Sequence, residues 1–275
     1  MFRHEISPTA FVVGDIEMHW YGIMYLVGFA LGWALGRYRA SRPDSGWTKT
    51  EVDDLLTATM LGVILGGRLG YVLFYDFGAY LADPLEIFKI WHGGMSFHGG
   101  LLGALAAFFY FARTRRKSFW DVSDFVTPLV PQAIFWGRLG NFINGELWGK
   151  PTELPWGVIF RGAGDIPRHP TQLYEAIIEG LILFVVIWVY SSKKREPGQV
   201  SGLFAVGYGV GRVLVEFVRL PDAHIGYLAF GWLTMGQTLC LPLILIGLWL
   251  LFRRHPERSR RNASAKKGSR RTHER

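Results

Sequence analysis

Long apolar stretches recur along this chain, separated by shorter polar and turn-forming segments. They fall at roughly 18–36, 55–75, 97–113, 125–144, 172–190, 200–218 and 235–252. A helix rises about 1.5 Å per residue, so about 20 residues cross the hydrocarbon of a bilayer. The pattern therefore predicts an all-α polytopic membrane protein with about seven transmembrane helices. It groups residues 1–252 into one transmembrane domain and leaves 253–275 as a basic, disordered cytoplasmic tail.

Charge orients these spans. Cytoplasmic loops are rich in Lys and Arg. Arg37, Arg39, Arg42 and Lys49 follow the first span, and Arg113, Arg115, Arg116 and Lys117 follow the third. Lys193, Lys194 and Arg195 follow the fifth, and the tail follows the seventh. The alternate loops differ: residues 76–95 carry Asp76, Asp83, Glu86 and only Lys89, and residues 150–170 mix Lys150, Glu153, Arg161, Asp165 and Arg168. All four basic segments then lie on one side. The N-terminus is outside and the C-terminus inside, which requires an odd number of spans.

Composition narrows the class further. Half the residues are hydrophobic, with 11 Trp, 11 Tyr and 20 Phe, more long apolar runs than a soluble domain exposes. The formal net charge of +8 is carried by the tail, since the rest of the chain is neutral. Beside a membrane span such a tail binds anionic headgroups and fixes topology, so no nucleic-acid partner is expected. Cys240, alone in the last apolar run, makes no intrachain disulfide and reads as a small hydrophobe. No cleavable signal peptide is apparent at the first span.

Several polar residues interrupt the apolar runs, and intramembrane charge is costly unless paired or wet. Arg68, Arg138 and Arg212 each lie about two-thirds along a span that runs from inside to outside. Glu146 lies at the outer end of the fourth span. Tyr21 and His98 lie near the outer starts of inward-running spans. Six polar side chains from five spans thus converge on one depth, which favours a one-sided site. Gly-Arg recurs at 67–68, 137–138 and 211–212. Internal repetition and close helix approach through small residues both explain that recurrence.

The residue types suggest an anionic ligand. Arg138 and Asn141 share a helical face, Asn144 follows three residues on, and Glu146 stands in the turn. A guanidinium beside carboxamides suits a phosphodiester; an Arg–Glu pair that only locks helices together is the other reading. Arg212, Glu216 and Arg219 form one stripe on the sixth span, with Arg219 placed to snorkel at the interface. His98 has general-base chemistry near neutral pH, or a structural hydrogen bond. His92 and His98 lack the partners for a metal site, so none is expected. Glu175 and Glu179 share a face in the fifth span and read as polar lining.

The segment Gly137-Arg138-Leu139-Gly140-Asn141-Phe142-Ile143-Asn144-Gly145-Glu146 resembles the signature of the bacterial prolipoprotein diacylglyceryl transferases. The resemblance extends over His19-Trp20-Tyr21-Gly22, Gly66–Tyr71, Gly93–Gly100, Arg168–Glu175 and Arg212 with Glu216 and Arg219. It implies transfer of the diacylglyceryl group of phosphatidylglycerol to the lipobox cysteine thiol of a preprolipoprotein, with release of glycerol phosphate. It implies an enzyme of the bacterial inner membrane, its active site facing outward, with no cofactor. Its partners are phosphatidylglycerol, the lipobox signal peptide and membrane lipids. By the same resemblance His98, Arg138, Arg212, Tyr21, Glu146 and Glu216 are catalytic, with His98 ahead of Tyr21 as base. Arg138, Asn141, Arg68, Asn144 and Arg212 bind phosphatidylglycerol, and Gly149 is structural. A lipid or small-anion transporter is the alternative from another class.

Overall fold

The computed structural model describes residues 2–89, 93–221 and 226–253. Two short strands, β2 (Thr9–Val13) and β3 (Ile16–His19), form an antiparallel hairpin before helix α1 (Trp20–Ala40). Helix α2 (Lys49–Phe74) begins at a capping box, where Thr48 and Glu51 satisfy each other's backbone donors. A short helix α3 (Phe77–Ala82) and a 3-10 turn (Pro84–Phe88) lead to α4 (Phe97–Thr114). Helix α5 (Phe119–Val126) runs through a 3-10 turn into α6 (Val130–Asn144). Helix α7 (Thr171–Glu175) passes through a π-helical segment (Ala176–Ile182) into α8 (Leu183–Tyr190). The last two helices are α9 (Gln199–Glu216) and α10 (Met235–Phe252).

The apolar runs are helical, as expected. By length and composition, three helical stretches among the described residues suffice to cross a membrane: Lys49–Phe74, Thr171–Tyr190 and Met235–Phe252. The expectation of an all-α protein needs correction. Besides the hairpin, β1 (Phe2–His4) pairs in parallel with β4 (Val158–Phe160), tying the first residues to the loop after α6. The β1–β4 pair lies outside the apolar runs, and the hairpin overlaps only the start of the first. Backbone groups there lack a helical partner and pair between strands instead. His92 and the tail beyond Arg253 lie outside the described residues.

Helices pack where side chains are small. Along α2 and α4, Gly62, Gly66 and Gly70 face Gly99 and Gly103. A Cβ at Gly66 would meet Gly103 Cα at 2.9 Å, and one at Gly70 would meet Gly99 Cα at 2.8 Å. Such close backbone approach drives association where lipid tails are as apolar as leucine. Helix α1 approaches α6 at Gly28 and Gly140, and the π-segment meets Phe135 of α6 at Gly180. Polar ties and packing join the α2–α4 pair to the rest near the α1–α2 turn. Trp33 and Arg37 donate to Asp53 at 2.7 and 2.6 Å, and Ala40, Val52, Leu55, Phe111 and Phe125 form a core there.

Candidate active site

Glu175 is the hub of the site. It is fully buried at the junction of α7 and the π-segment. Its Oε1 accepts from Arg212 Nη1 at 2.5 Å and from Arg219 Nη1 at 3.0 Å, while its Oε2 lies 3.0 Å from Arg138 Nε. One carboxylate thus gathers arginines from α6, from α9 and from the segment just after α9. Arg212 also pairs through Nη2 with Glu216 Oε2 at 2.8 Å. Glu216 in turn accepts from the Thr234 hydroxyl at 2.9 Å, at the capping box that opens α10. A carboxylate near a helix N-terminus is favoured by the helix dipole.

The arrangement explains how so much charge stays buried. Removing a charge from water costs several kcal/mol, and pairing with good geometry offsets it. Glu179 completes the group from the π-segment. It too is fully buried, and both its carboxyl oxygens lack a hydrogen-bond partner among the described residues. Single turns of π-helix cluster at functional sites, and here the segment begins directly after Glu175 and carries Glu179.

Beside the hub lies the α6 signature. Gly145, at φ 67°, ends α6 in the left-handed conformation and turns the chain so that Glu146 folds back. Asn141 and Asn144 donate to Glu146 Oε1 at 2.9 and 3.3 Å. Arg138 Nη1 reaches Asn141 Oδ1 at 3.4 Å, and its Nη2 has no protein partner among the described residues. The Arg138 side chain keeps 21% of its surface exposed, against 14% for Arg212 and 10% for Arg219. Arg138 is therefore both anchored and reachable. Gln172 donates to the Glu146 carbonyl and Thr171 to the Leu147 carbonyl, pinning this turn to the start of α7. Tyr21 packs on Gly140, where a Cβ would meet its ring at 2.9 Å. Its hydroxyl lies 3.1 Å from that of Tyr25, within the field of Glu146 and Asn141. Gly149 is structural: a Cβ there would meet the Val218 carbonyl oxygen at 2.5 Å. In the outer loop, burial and nearby Lys150 hold the His169 imidazole below its usual range, and its Nδ1 lies 3.2 Å from the Tyr174 hydroxyl.

The structure thus brings together Arg138, Asn141, Asn144, Glu146, Arg212, Glu216 and Tyr21. It does not bring Arg68 or His98 to them. All five donors of Arg68 go to backbone carbonyls: Nε to Ile87, Nη1 to Gly93 and Gly94, and Nη2 to Glu86 and Lys89. Its guanidinium also stacks on Tyr80 at 5.0 Å. In this structure Arg68 has no N–H left for a phosphate, and its contacts hold the loop before α4. His98 stands exposed in the first turn of α4, which packs along α2. No hydrogen bond joins it to the arginines or glutamates among the described residues. Sequence reasoning underrated Glu175, Glu179 and Arg219. The available signal was two glutamates inside an apolar span with no basic residue on that span to pair with.

Residues 8–253 match the family model described as prolipoprotein diacylglyceryl transferase. The chain is also similar to proteins named phosphatidylglycerol–prolipoprotein diacylglyceryl transferase in several bacteria. It is 61% identical to that of Solidesulfovibrio magneticus over 94% of this chain and 99% of the relative. It is 61% identical to that of Nitratidesulfovibrio vulgaris over 90% of this chain and 94% of the relative. It is 53% identical to that of Coxiella burnetii over 94% of this chain and the whole of the relative.

Proposed function

The chain belongs to the prolipoprotein diacylglyceryl transferase family, and on that premise we propose how its buried charges perform the transfer. The enzyme moves the diacylglyceryl group of phosphatidylglycerol to the lipobox cysteine thiol of a preprolipoprotein, the first step of lipoprotein maturation. The sulfur bonds to the glyceryl carbon as the carbon–oxygen bond to phosphate breaks. The oxygen keeps the electron pair and leaves as glycerol phosphate.

The observation that carries this reading is an arginine fixed by Glu175 yet left with an unpaired donor, Arg138. A phosphodiester carries one negative charge, and the departing monoester carries up to two. Groups that stabilise the added charge act on the transition state more than on bound lipid. Arg138, with Arg212 behind it, meets the phosphate oxygens. Glu175 and Glu216 hold the guanidiniums in place before the lipid arrives, and Asn141 and Asn144 keep the Glu146 carboxylate beside them. The thiol must lose its proton to attack. His98 is the proposed acceptor, because a neutral imidazole nitrogen can take a proton and this side chain is exposed in the first turn of α4. It would act from α4, across from the arginine hub, while Tyr21 orients the lipid beside Asn141.

We propose seven spans in the bacterial inner membrane, N-terminus outside, with this site facing outward. The basic segments support that orientation, because they meet at one end of the helices. Arg39 donates to Ser191 at 2.9 Å, Lys117 to the Gly46 carbonyl at 2.7 Å, and Arg253 to the Pro197 carbonyl at 2.8 Å.

Purified protein mixed with phosphatidylglycerol and a lipobox peptide tests the activity. Mass spectrometry should show the peptide heavier by one diacylglyceryl group, with one glycerol phosphate released per peptide. A peptide of unchanged mass, from protein shown to be folded, would refute the proposal.

A further inference from the structure

A polar cavity lies at the end of the helices opposite the arginine hub. On α1, Tyr21 and Arg39 are 18 residues apart, about 27 Å along the helix axis. The cavity of about 920 Å³ is lined by the end of α1, the turn after it, α5 and the loop between α8 and α9. That volume falls in the range of small-molecule sites, roughly 300–1,000 Å³.

Its charge is one-sided. Arg39, Arg42, Lys117, Lys193, Lys194 and Arg195 line it. Of these, Lys117 pairs with Glu51 at 3.2 Å, and the other five form no ion pair among the described residues. The acids that share the lining are taken up elsewhere or turned to water. Asp124 accepts from Gly198 N at 2.6 Å and from Ser201 N and Oγ at 2.9 and 2.7 Å, which caps α9. Asp121 accepts from Ser118 N at 3.0 Å in the capping box of α5. Asp44 is exposed in the turn after α1.

The arginines are held ready. The Arg39 guanidinium lies 5.5 Å from the rings of both Phe125 and Trp188, and its buried Nε has no acceptor. Burial, then the charge of Arg42, push Arg39 down to about 10, opposed by Asp124. Arg42 lies over Tyr38 at 5.0 Å and Trp188 at 5.9 Å. Arg195 stacks on Tyr190 at 3.8 Å. Aromatic faces orient guanidiniums without supplying counter-charge. Planar forks beside ammonium groups suit phosphate oxygens, and Trp and Tyr at this level mark the headgroup zone of a membrane.

We propose that this cavity binds the phosphate headgroup of an anionic phospholipid as a second lipid site, separate from the reaction. Basic pockets between helices on the cytoplasmic side are suited to such headgroups. Only the leaflet assignment rests on the topology proposed above; the site stands on its own geometry. A lipid is favoured over a free anion because the aromatic residues that frame the arginines continue onto exposed apolar faces of α8, such as Val185 and Val189.

The full-length protein in neutral detergent, titrated with dioleoylphosphatidic acid and read by native mass spectrometry, tests this. An Arg138→Gln background removes the contribution of the reaction site. Arg39→Gln with Arg42→Gln should weaken retention at least tenfold, and Lys193→Ser with Lys194→Ser about threefold. Phosphatidylcholine should bind at least tenfold more weakly to the unaltered cavity. If the arginine pair fails to fold, the exposed lysine pair decides alone. Unchanged retention in the folded variants would overturn the site. Displacement by an equal concentration of inorganic phosphate would overturn its assignment to a lipid.

Discussion

Gly67-Arg68-Leu69-Gly70 and Gly137-Arg138-Leu139-Gly140 spell the same four residues, each on a helix that the charge pattern orients from inside to outside. Their arginines nevertheless do different work. Arg68 meets five backbone carbonyls of the segment between α3 and α4, and every donor it has is occupied. Arg138 meets one carboxylate oxygen of Glu175 and one amide oxygen of Asn141, and one terminal nitrogen stays open. The first arginine closes a loop, and the second is the one proposed above to meet the phosphate. Acceptor supply, and not the local quartet, sets the role. A saturated guanidinium is structural, whereas an anchored but unsaturated one can bind a ligand.

Substitutions can break or sharpen this contrast. The largest effect is expected from Glu175→Gln. It takes the shared carboxylate from three arginines and leaves buried positive charge uncompensated, a loss of about 3–5 kcal/mol. Turnover should fall about a thousandfold or more and the thermal midpoint should drop. A variant with native turnover would show that the hub does not position the arginines.

Arg138→Lys comes next, with turnover down about a hundredfold while the protein still inserts, in line with the loss of one oriented donor. Steady-state kinetics should place the loss in kcat more than in KM. Arg68→Lys should do the reverse. It forfeits several carbonyl contacts, each worth about 1 kcal/mol, so denaturation should come earlier while turnover per folded molecule stays within about threefold. Wild-type stability paired with lost turnover in Arg68→Lys would put that arginine in the chemistry after all.

The smallest effect is expected from Cys240→Ser. The thiol is buried and belongs to α10, outside the hydrogen bonds of the hub. Activity should remain within about twofold, because the nucleophile comes with the substrate. A tenfold loss in well-expressed protein would mean that this thiol takes part.

Much of the fold was legible because a bilayer imposes a simple demand: each backbone polar group in hydrocarbon needs a partner, and a helix supplies it locally. The long apolar runs therefore announced their helices. Strands of three to five residues carried too little pattern to see, and β1 depends on β4, more than 150 residues away. The site was legible where one helix wrote it, as in Arg138, Asn141 and Asn144 on α6 or Arg212 and Glu216 on α9. Glu175 was not, since its partners lie outside its own helix and the π-segment that follows it has no sequence signature. Arg68 was not legible either, because the carbonyls that take all its donors belong to the irregular segment between α3 and α4.

The sharing of Glu175 also bears on how the protein is made. Translation delivers α6 first, then α7, then α9. A nascent chain that ends after α6 holds Arg138 without Glu175, the carboxylate that pairs with it. The arrival of α7 and the π-segment supplies two acids together, Glu175 and Glu179, and the local balance turns negative. Only with α9 and the residues just after it, which bring Arg212, Glu216 and Arg219, do three guanidiniums face three carboxyls. Each step in biogenesis thus leaves a charge that the next helix answers, so the order of synthesis favours holding these segments together until the last has entered the membrane.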